Sequence, residues 1–444
     1  MSIMRFFERI LLILIHTQVK MSHNIQPLLN KKYIKAASSK GIYIYDETGK
    51  EYIDGSSGAI TCSLGHGHEK VIQLVKKQVE KLIYVYRSQF GSQESERLAA
   101  QLYEKSEDKY LEYSFFVNSG SEAIETAIKI ALQYWQEKGY SGKNQFITRE
   151  KSYHGITLGA LSLSGHVLRR ARFEKVLHSL VSLKSDLEND TVEQQTEEFI
   201  KTIEKIGSDN IAAFVAEPIV GAAGTALTPQ PDYYTRIKEI CDVHNILFIA
   251  DEVMTGLGRT GKWFGLEHWS VKADIVAVGK SLGAGYAPIA ATLLTSKILE
   301  PIKSGSGFIM SGHTYSGHPL SCAIASKVIE VIEEEMLIAN VNEMGNYLKQ
   351  QLESLKQQYG FIQTIRGKGL LIGIEFDPAI EGLAGRCVEI CYENGLLVYP
   401  SVGGKYGKNE NGILIAPPFI ITKSQVDTII QILHYSMDKL KING

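Results

Sequence analysis

The sequence has few cysteines and almost no excess of charge. Five cysteines occur in 444 residues, none of them in a CxxC pair, so neither a disulfide framework nor a metal site is expected. The formal net charge is −2, which gives no overall attraction to nucleic acids or to anionic membranes. These scarcities favour an ordinary globular protein of the reducing cytoplasm, with no metal, nucleic-acid or membrane partner.

Long apolar runs are also lacking. The run from Ile10 to Ile15 is too short to span a bilayer. Glu8 and Arg9 precede it and no A-x-A site follows, which weakens its interpretation as a signal peptide. Met21 then opens "MSHNIQPLLN" like a fresh start. We therefore expect residues 1–20 to be a disordered arm or a mis-started extension of the reading frame, and favour this over a targeting signal.

The rest of the chain alternates between strand and helix patterns. The short apolar runs "NIAAFVAEP", "NILFIADEV" and "ADIVAVGK" predict parallel strands covered by helices on both faces. The stretch "KGIYIYDETGKEYIDG" predicts a β-hairpin. A helix is expected from Ser121 to Lys138, with Ser119 and Glu122 spaced as a capping box.

After Met336 the pattern changes to one long helix, strands near "LLIGIEF" and "GILIAPPF", and a final helix. We therefore predict an α/β protein whose large domain, residues 71–335, holds a mixed, mainly parallel sheet. A smaller α+β domain spans residues 336–444, and the N-terminal segment, residues 21–70, joins it because chain termini often lie close together. The sequence shows no internal repeat and no low-complexity linker.

Three of the predicted strands are followed by ionisable residues: Glu217, Asp251 and Lys280. Ligands of open parallel sheets bind outside the carboxyl ends of the strands. Alone, each acid is more often a cap or a surface charge, and a lone lysine extends its amine to solvent. Together at strand ends they predict one crevice that contains two carboxylates and an amine.

The glycine-rich sequence around Lys280 also has a nucleotide-binding alternative. "GKS" could end a P-loop, but that motif requires glycine at position 274, where Asp274 stands. A different phosphate site is predicted at Ser119-Gly120-Ser121, where a strand leads into a helix. Helix N-termini offer free N–H groups to anions, Gly120 allows close approach, and both serine hydroxyls can donate.

A phosphate site, a strand-end carboxylate and a strand-end lysine are the groups that pyridoxal phosphate requires. Its aldehyde forms a Schiff base with a lysine, and its pyridine nitrogen needs an acidic partner to stay protonated. Lys280 and Asp251 supply these two groups. The sequence thus predicts pyridoxal phosphate as the cofactor.

The chain resembles the class III, omega-type, pyridoxal-phosphate-dependent aminotransferases of fold type I from about Tyr33 to its C-terminus. The resemblance is carried, in family order, by "SLGHGH", "NSGSEA", "YHG", "AEPIVG", "DEVMTGLGRTG", "GKSLGAGY", "HTYSGHP", "RGKGLLIGIE" and "APPFIIT". It implies an aspartate aminotransferase-like fold and a transaminase that moves an amino group from an amine or an omega- or beta-amino acid to a 2-oxo acid by a ping-pong mechanism.

The resemblance also implies catalytic roles for matching residues. Lys280 would carry the Schiff base and then move the proton, and Asp251 would hold the pyridinium nitrogen. Glu217 would lie near the hydroxyl side of the ring. Val253 would pack on one face of the ring and Tyr153 on the other.

The resemblance implies further contacts with the cofactor, one of them from a second chain. His154 would be a cofactor-binding residue, and Ser119, Gly120 and Ser121 would bind the phosphate. Thr314 would reach the phosphate in the neighbouring subunit, which implies a homodimer with shared active sites.

The sequence departs from the family where a substrate carboxylate is often bound by arginine, because Leu414 and about Tyr399 occupy those positions. Lys405 and Lys408, on a glycine-rich insertion, or Arg87 could substitute, and the sequence leaves this choice open. An aminomutase or a decarboxylating transaminase of the same fold is an alternative, as is a non-catalytic protein that binds the cofactor.

Overall fold

The computed structural model describes residues 23–179, 181–401 and 412–440. The strands are β1 (Ala36–Lys40), β2 (Tyr43–Asp46), β3 (Glu51–Asp54), β4 (Tyr113–Val117), β5 (Gln145–Arg149), β6 (Val181–Leu183), β7 (Ile211–Ala216), β8 (Leu247–Asp251), β9 (Ile275–Val278), β10 (Ala290–Leu294), β11 (Ile362–Lys368), β12 (Leu371–Phe376), β13 (Leu396–Leu397), β14 (Tyr399–Ser401) and β15 (Gly412–Ile415).

The helices are α1 (Ser57–Ile60), α2 (Glu69–Lys81), α3 (Gln93–Lys105), α4 (Gly120–Glu137), α5 (Leu158–Leu163), α6 (Val167–Arg170), α7 (Val192–Ile206), α8 (Tyr233–Val243), α9 (Ser296–Ser304), α10 (Pro319–Glu334), α11 (Leu337–Gln358), α12 (Leu383–Glu393) and α13 (Lys423–Leu440). Short 3-10 turns lie at Glu107–Lys109, Glu174–Val176, Ser208–Asn210, Gly265–Trp269 and Lys280–Leu282. None of the helices in the described ranges combines the length and the apolar composition that crossing a membrane requires.

A seven-stranded sheet lies at the centre, in the order β4-β10-β9-β8-β7-β5-β6. Strand β10 runs antiparallel to both of its neighbours, and the pairs from β9 to β6 are parallel. The sheet is therefore mixed and mainly parallel, as the sequence predicts. This topology places the carboxyl ends of β7, β8 and β9 side by side.

Alternate residues of the central strands point to opposite faces of this sheet. In β8, Phe248 belongs to one apolar cluster, whereas Leu247 and Ile249 belong to another, which also contains Ala123 and Ala127 of α4. All five residues of β8 are buried. Both faces are covered, which explains why the strand sequences are almost continuously apolar.

Two smaller sheets complete the fold. Strands β11, β12, β15 and β14 form an antiparallel sheet. The other sheet has the order β1-β2-β3-β13, and Leu396 of β13 pairs in parallel with Ile53 of β3. The N-terminal hairpin thus shares a sheet with the C-terminal part of the chain. The domain boundaries given above stay predictions.

The described residues fall into two units, with the boundary after Ala36. In the described part of the first unit, residues 23–36, nearly every residue is exposed to solvent. The expected disordered or mis-started extension, residues 1–20, lies outside the described residues and stays a prediction.

Most elements predicted from sequence agree with the structure. The hairpin forms as β2 and β3, and the predicted helix forms as α4, one residue earlier than expected. One of the two hydrogen bonds of the predicted capping box is different in the structure. Ser119 Oγ accepts from Glu122 N at 3.2 Å, but the Glu122 carboxylate accepts from Asn118 N at 2.7 Å instead of from Ser119. Helix α12, between β12 and β13, contains Cys387 and Cys391, which lie four apart in a stretch that the sequence already indicates to be helical.

Candidate active site

The three ionisable residues predicted at strand ends follow adjacent parallel strands. Glu217 follows β7, Asp251 ends β8, and Lys280 comes two residues after the end of β9. Asp251 pairs with Ala277 of β9, which fixes the register of the last two strands. Burial lowers the pKa of Lys280 from about 10.5 to about 8, and the nearby charges of Asp251 and Glu217 partly oppose that shift. The amine and both carboxylates therefore lie close enough to interact at this edge of the sheet, and we call this region the Lys280 crevice.

The backbone at Lys280 is held in an unusual conformation. Its φ angle is 43°, in the left-handed region that residues with a side chain seldom occupy. Strain of this kind costs about 1–3 kcal/mol and persists where the surrounding structure imposes it, often at active sites. Here the lysine lies in a tight turn, because Leu282 N donates to Gly279 O at 2.9 Å and Ala284 N donates to Lys280 O at 3.0 Å.

Asp251 is buried and oriented by a histidine. Its Oδ2 lies 2.8 Å from Nδ1 of His154, and its Oδ1 accepts from Val253 N at 3.1 Å. His154 Nε2 lies 3.1 Å from Thr148 Oγ1, and its backbone N–H donates to Ser164 Oγ at 2.8 Å. His154 was expected near the cofactor, and the structure places it directly behind the aspartate.

Glu217 is buried beside Asp251 and is held by backbone donors. Its Oε1 accepts from Tyr153 N at 2.9 Å and its Oε2 from Gly221 N at 3.1 Å. Burial raises the pKa of the Glu217 carboxyl, an effect that the neighbouring His154 opposes. The two N–H bonds fix the carboxylate, so that it presents a set position to the crevice.

The predicted phosphate site and the residue predicted to pack on the ring lie against each other. A Cβ added at Gly120 would come within 2.6 Å of Val253 Cγ1, so only glycine fits there without displacement. The same methyl would be 3.3 Å from a Cβ at Gly279, directly before Lys280. The start of α4, Val253 and the lysine turn thus form one continuous surface.

The serine hydroxyls beside Gly120 accept bonds and retain their own protons for donation. Ser119 Oγ accepts from the backbone of α4, and Ser121 Oγ accepts from Ile156 N at 3.0 Å. With the free N–H groups of the first helical turn, these hydroxyls suit an anion.

Tyr153 borders the crevice and brings with it a residue that the sequence prediction missed. The tyrosine is half-buried, and the Arg169 guanidinium carbon lies 4.8 Å from its ring centroid. Arg169 is exposed, and its charge is near enough to contribute to the lowered pKa of Lys280. In the part of the chain that the structure describes, Arg169 has no carboxylate partner. The paired arginines of "HVLRRARF" were the available sequence signal.

The two positions where an arginine was expected, Leu414 and Tyr399, are neighbours in the antiparallel sheet. Leu414 is fully buried in β15 and pairs with Tyr399 of β14 and with Gly373 of β12. The insertion that carries Lys405 and Lys408 lies outside the described residues.

Two further candidates lie away from these contacts. Arg87 donates to Ser311 O at 2.7 Å and packs over the ring of Phe115. Thr314 is exposed, and its carbonyl accepts from Tyr84 Oη at 2.9 Å. Within the described residues no hydrogen bond or ion pair joins Thr314 to the other predicted site residues.

The residues present fit pyridoxal phosphate. The glycine forced by Val253, the donors at the start of α4, the buried aspartate and the lysine of lowered pKa are the groups that its phosphate, ring and aldehyde need. The start of α4 and the turn before Lys280 both approach the same methyl group, Cγ1 of Val253.

Comparison with known proteins identifies the class. The model of the aminotransferase class-III family matches residues 27–437, and the chain belongs to this family of pyridoxal-phosphate-dependent enzymes. The uncharacterized aminotransferase YodT of Bacillus subtilis (strain 168) is 46% identical over 439 residues, covering 95% of this chain and 99% of that protein.

Solved structures agree in fold. A transaminase from the marine bacterium Virgibacillus superposes with a TM-score of 0.90 at 32% identity, covering 96% of this chain and 98% of that one. An amine transaminase from an uncultivated Pseudomonas species, described as PLP-bound, gives a TM-score of 0.87 at 31% identity, with 95% and 98% covered. The fold class predicted from sequence is confirmed.

Proposed function

We propose that this aminotransferase moves an amino group from an amine or an omega- or beta-amino acid to a 2-oxo acid in two half-reactions at the Lys280 crevice. The observation that carries this proposal is Lys280 itself, a strand-end amine whose pKa is lowered to about 8 beside two carboxylates. A far larger fraction of such an amine than of an ordinary lysine is neutral near physiological pH, and the neutral amine is the form that acts as a nucleophile and a base.

Each residue of the crevice has a distinct task in this proposal. Pyridoxal phosphate, when bound, supplies an electron sink for the carbon that bears the amine. Asp251, held by His154, would provide the negative charge for the ring nitrogen, and Lys280 would hold the cofactor through its amine, which is also the group that would accept and return a proton. Glu217 lies beside them on its backbone donors.

The phosphate and the ring faces are assigned in the same way. Ser119, Gly120 and Ser121 would bind the phosphate at the start of α4. Val253 and Tyr153 would pack against the ring. The contact between Gly120 and Val253 supports this arrangement, because it places the anion donors next to the proposed ring site.

The proposed substrate preference depends on where positively charged side chains lie near the Lys280 crevice and where they are absent. A carboxylate buried beside Leu414 or Tyr399 would have no cationic partner there, and burying an unpaired charge is costly. We therefore propose that the donor presents an uncharged group to this side. The acceptor carboxylate is assigned to Arg169, which lies over Tyr153 without a carboxylate partner among the described residues. Lys405 stays an alternative counter-charge.

We also propose that the enzyme is a cytoplasmic homodimer in which Thr314 serves the partner's phosphate. Thr314 is exposed, and so are the neighbouring rings of Tyr84 and Tyr315, whose centroids lie 5.8 Å apart. Exposed apolar surface next to a site residue supports a protein interface. The five cysteines are all unpaired, which is in keeping with a reducing compartment.

A donor panel tests the proposed reaction. Amines, omega- and beta-amino acids and alpha-amino acids are tested against pyruvate and 2-oxoglutarate, and cofactor absorbance is followed in each half-reaction. We expect a spectral change with amine or omega-amino donors alone and its reversal by a 2-oxo acid. Isomerisation of an amino aldehyde without net transfer would indicate an aminomutase, and carbon dioxide release a decarboxylating enzyme. No spectral change with any donor would refute the proposal in favour of a binding protein.

Shared active sites are tested by mixing two inactive variants. Lys280→Ala and Thr314→Ala chains, unfolded and refolded together, should form some dimers with one intact site. Activity should then exceed that of either variant alone. A fully active monomer in sedimentation would contradict the dimer.

A further inference from the structure

A second concave site lies apart from the Lys280 crevice. A cavity of about 240 Å³ opens between the loop after β8, helix α11 and the hairpin of β11 and β12. We call it the basic pocket, and its lining residues are Thr260, His268, Asn342, Gly345, Asn346, Lys349, Gly367, Lys368, Gly369 and Ile372. None of these belongs to the proposed cofactor site.

The basic pocket concentrates positive charge without neutralising it. Lys349 and Lys368 are both half-buried, and burial, followed by the nearby charge of Lys349, lowers the pKa of Lys368. No carboxylate is among the lining residues. Within the described part of the chain neither ammonium forms an ion pair. Two unpaired like charges in one concavity repel each other, and an anion between them would remove that cost.

The uncharged residues that line the basic pocket include polar side chains. His268 Nε2 donates to Thr260 O at 3.1 Å, and burial followed by the charge of Lys368 lowers the pKa of this histidine to about 4. The imidazole is therefore neutral at pH 7. Thr260 is buried, and its hydroxyl has no hydrogen-bond partner among the described residues. Asn346 is exposed on the same side of α11 as Lys349.

Glycines hold the walls of the pocket close together. A Cβ at Gly345 would come within 2.3 Å of Gly369 O, and one at Gly369 within 2.5 Å of the Thr260 carbonyl carbon. Gly369 also has φ +56°, which favours glycine. Loop, helix and hairpin are thus fixed against one another by backbone contacts, and the two lysines project from a rigid frame.

We propose that the basic pocket binds a phosphate-type dianion, with its oxygens against Lys349 and Lys368. The volume is about eight times the roughly 30 Å³ that a water molecule occupies in the liquid, which is enough for a phosphate with a small organic group attached. Free phosphate and a phosphorylated metabolite offer the same dianion to the lysines. The site is independent of the proposed transamination.

Calorimetric titration of the cofactor-loaded enzyme tests this site, because a loaded enzyme has its cofactor phosphate site filled. Inorganic phosphate and glycerol 3-phosphate are titrated separately at constant ionic strength. We expect one saturable site per chain. Tighter binding of glycerol 3-phosphate would point to a phosphorylated metabolite, and equal or weaker binding to free phosphate.

Matched variants locate the bound anion. The double variant Lys349→Gln/Lys368→Gln should bind at least tenfold more weakly, whereas Lys356→Gln, on the same helix but outside the lining, should bind like the wild type. Phosphate should also raise the unfolding temperature of the wild type and of Lys356→Gln but not that of the double variant. Equal affinity in the wild type and the double variant, or the absence of a saturable site, would overturn the proposal. If the double variant does not fold, the single variant Lys349→Gln is used instead, and it too should bind the anion more weakly than the wild type.

Discussion

Asp251 and Glu252 are adjacent in the chain, both carboxylates and both buried, yet their surroundings differ. Asp251 is bonded by a side chain, the imidazole of His154 at 2.8 Å. Glu252 is bonded by the backbone N–H groups of Gly265 and Leu266, each at 2.8 Å, and by the hydroxyl of Thr255. Asp251 borders the crevice, whereas Glu252 fastens the loop that follows β8.

The alternation of strand residues explains this division. Leu247 and Ile249 point to the face of the sheet that carries α4, and Asp251 continues their alternation. Glu252 continues that of Phe248, on the opposite face. The contrast teaches that burial alone does not mark a functional acid. In this pair, Glu252 is bonded by backbone and hydroxyl groups of the loop that it fastens, whereas Asp251 is oriented by the imidazole of His154 at the edge of the sheet where ligands bind.

The largest expected effect separates these two acids. Asp251→Asn removes the charge proposed for the ring nitrogen and should lower kcat by about 10²–10³-fold, as loss of a preorganised electrostatic group does. Glu252→Gln should keep kcat within about threefold of the wild type once folded. Steady-state kinetics on cofactor-saturated protein measures both. Equal losses of kcat in the two variants would contradict the different roles assigned to Asp251 and Glu252.

The pH dependence of stability gives a second test of the contrast between Asp251 and Glu252. Burial raises the pKa of Glu252 from 4.5 to about 7. Because the folded pKa lies above the unfolded one, the stability from this group is full below about pH 4.5 and is lost as the pH rises through about 7. The stability of the wild type relative to Glu252→Gln should fall by about 3 kcal/mol across this window. Denaturant unfolding at pH 5 and pH 8 measures it, and a constant difference would contradict the assignment.

A second adjacent pair shows the same contrast with arginines. Arg170 is buried and donates to the carbonyls of Leu161, Ser162 and Ser164 at 2.9–3.1 Å, whereas Arg169 is exposed over Tyr153. Arg169→Gln should raise the KM for the 2-oxo acid about tenfold, equivalent to ~1.4 kcal/mol. Arg170→Gln should instead lower stability by about 1–3 kcal/mol. An unchanged KM in Arg169→Gln would return the acceptor site to Lys405.

The smallest expected effect compares two helix caps. Ser119 caps α4 at the proposed phosphate site, and Thr191 caps α7 in a full capping box with Gln194. Replacing either by alanine should cost about 1 kcal/mol of stability. Ser119→Ala alone should also weaken cofactor binding, by about fivefold if one comparable bond is lost. Fluorescence titration of the apoenzyme measures the affinity, and equal cofactor binding in the two variants would exclude Ser119 from the site.

Much of the crevice could be predicted because it depends on strand ends. Parallel strands deliver their carboxyl ends to one edge of a sheet, so residues after apolar runs converge there. Lys280, Asp251 and Glu217 each follow such a run. The strand period would also have separated Asp251 from Glu252, since successive residues of a strand face opposite sides.

What could not be predicted depends on packing between distant segments. Arg169 of α6 lies over Tyr153, which precedes both short helices α5 and α6 in the chain, and no local pattern encodes that contact. The basic pocket likewise combines Lys349 on α11 with Lys368 on β11 and with a loop after β8.

The central claim is that Lys280 holds the cofactor. Reduction of the purified enzyme with borohydride fixes pyridoxal phosphate to the amine that carries it, and peptide mapping by mass spectrometry then locates the adduct. The account predicts a yellow protein with a single modified peptide containing Lys280, and no such adduct in Lys280→Ala. An adduct on another lysine of the wild-type chain would contradict the account.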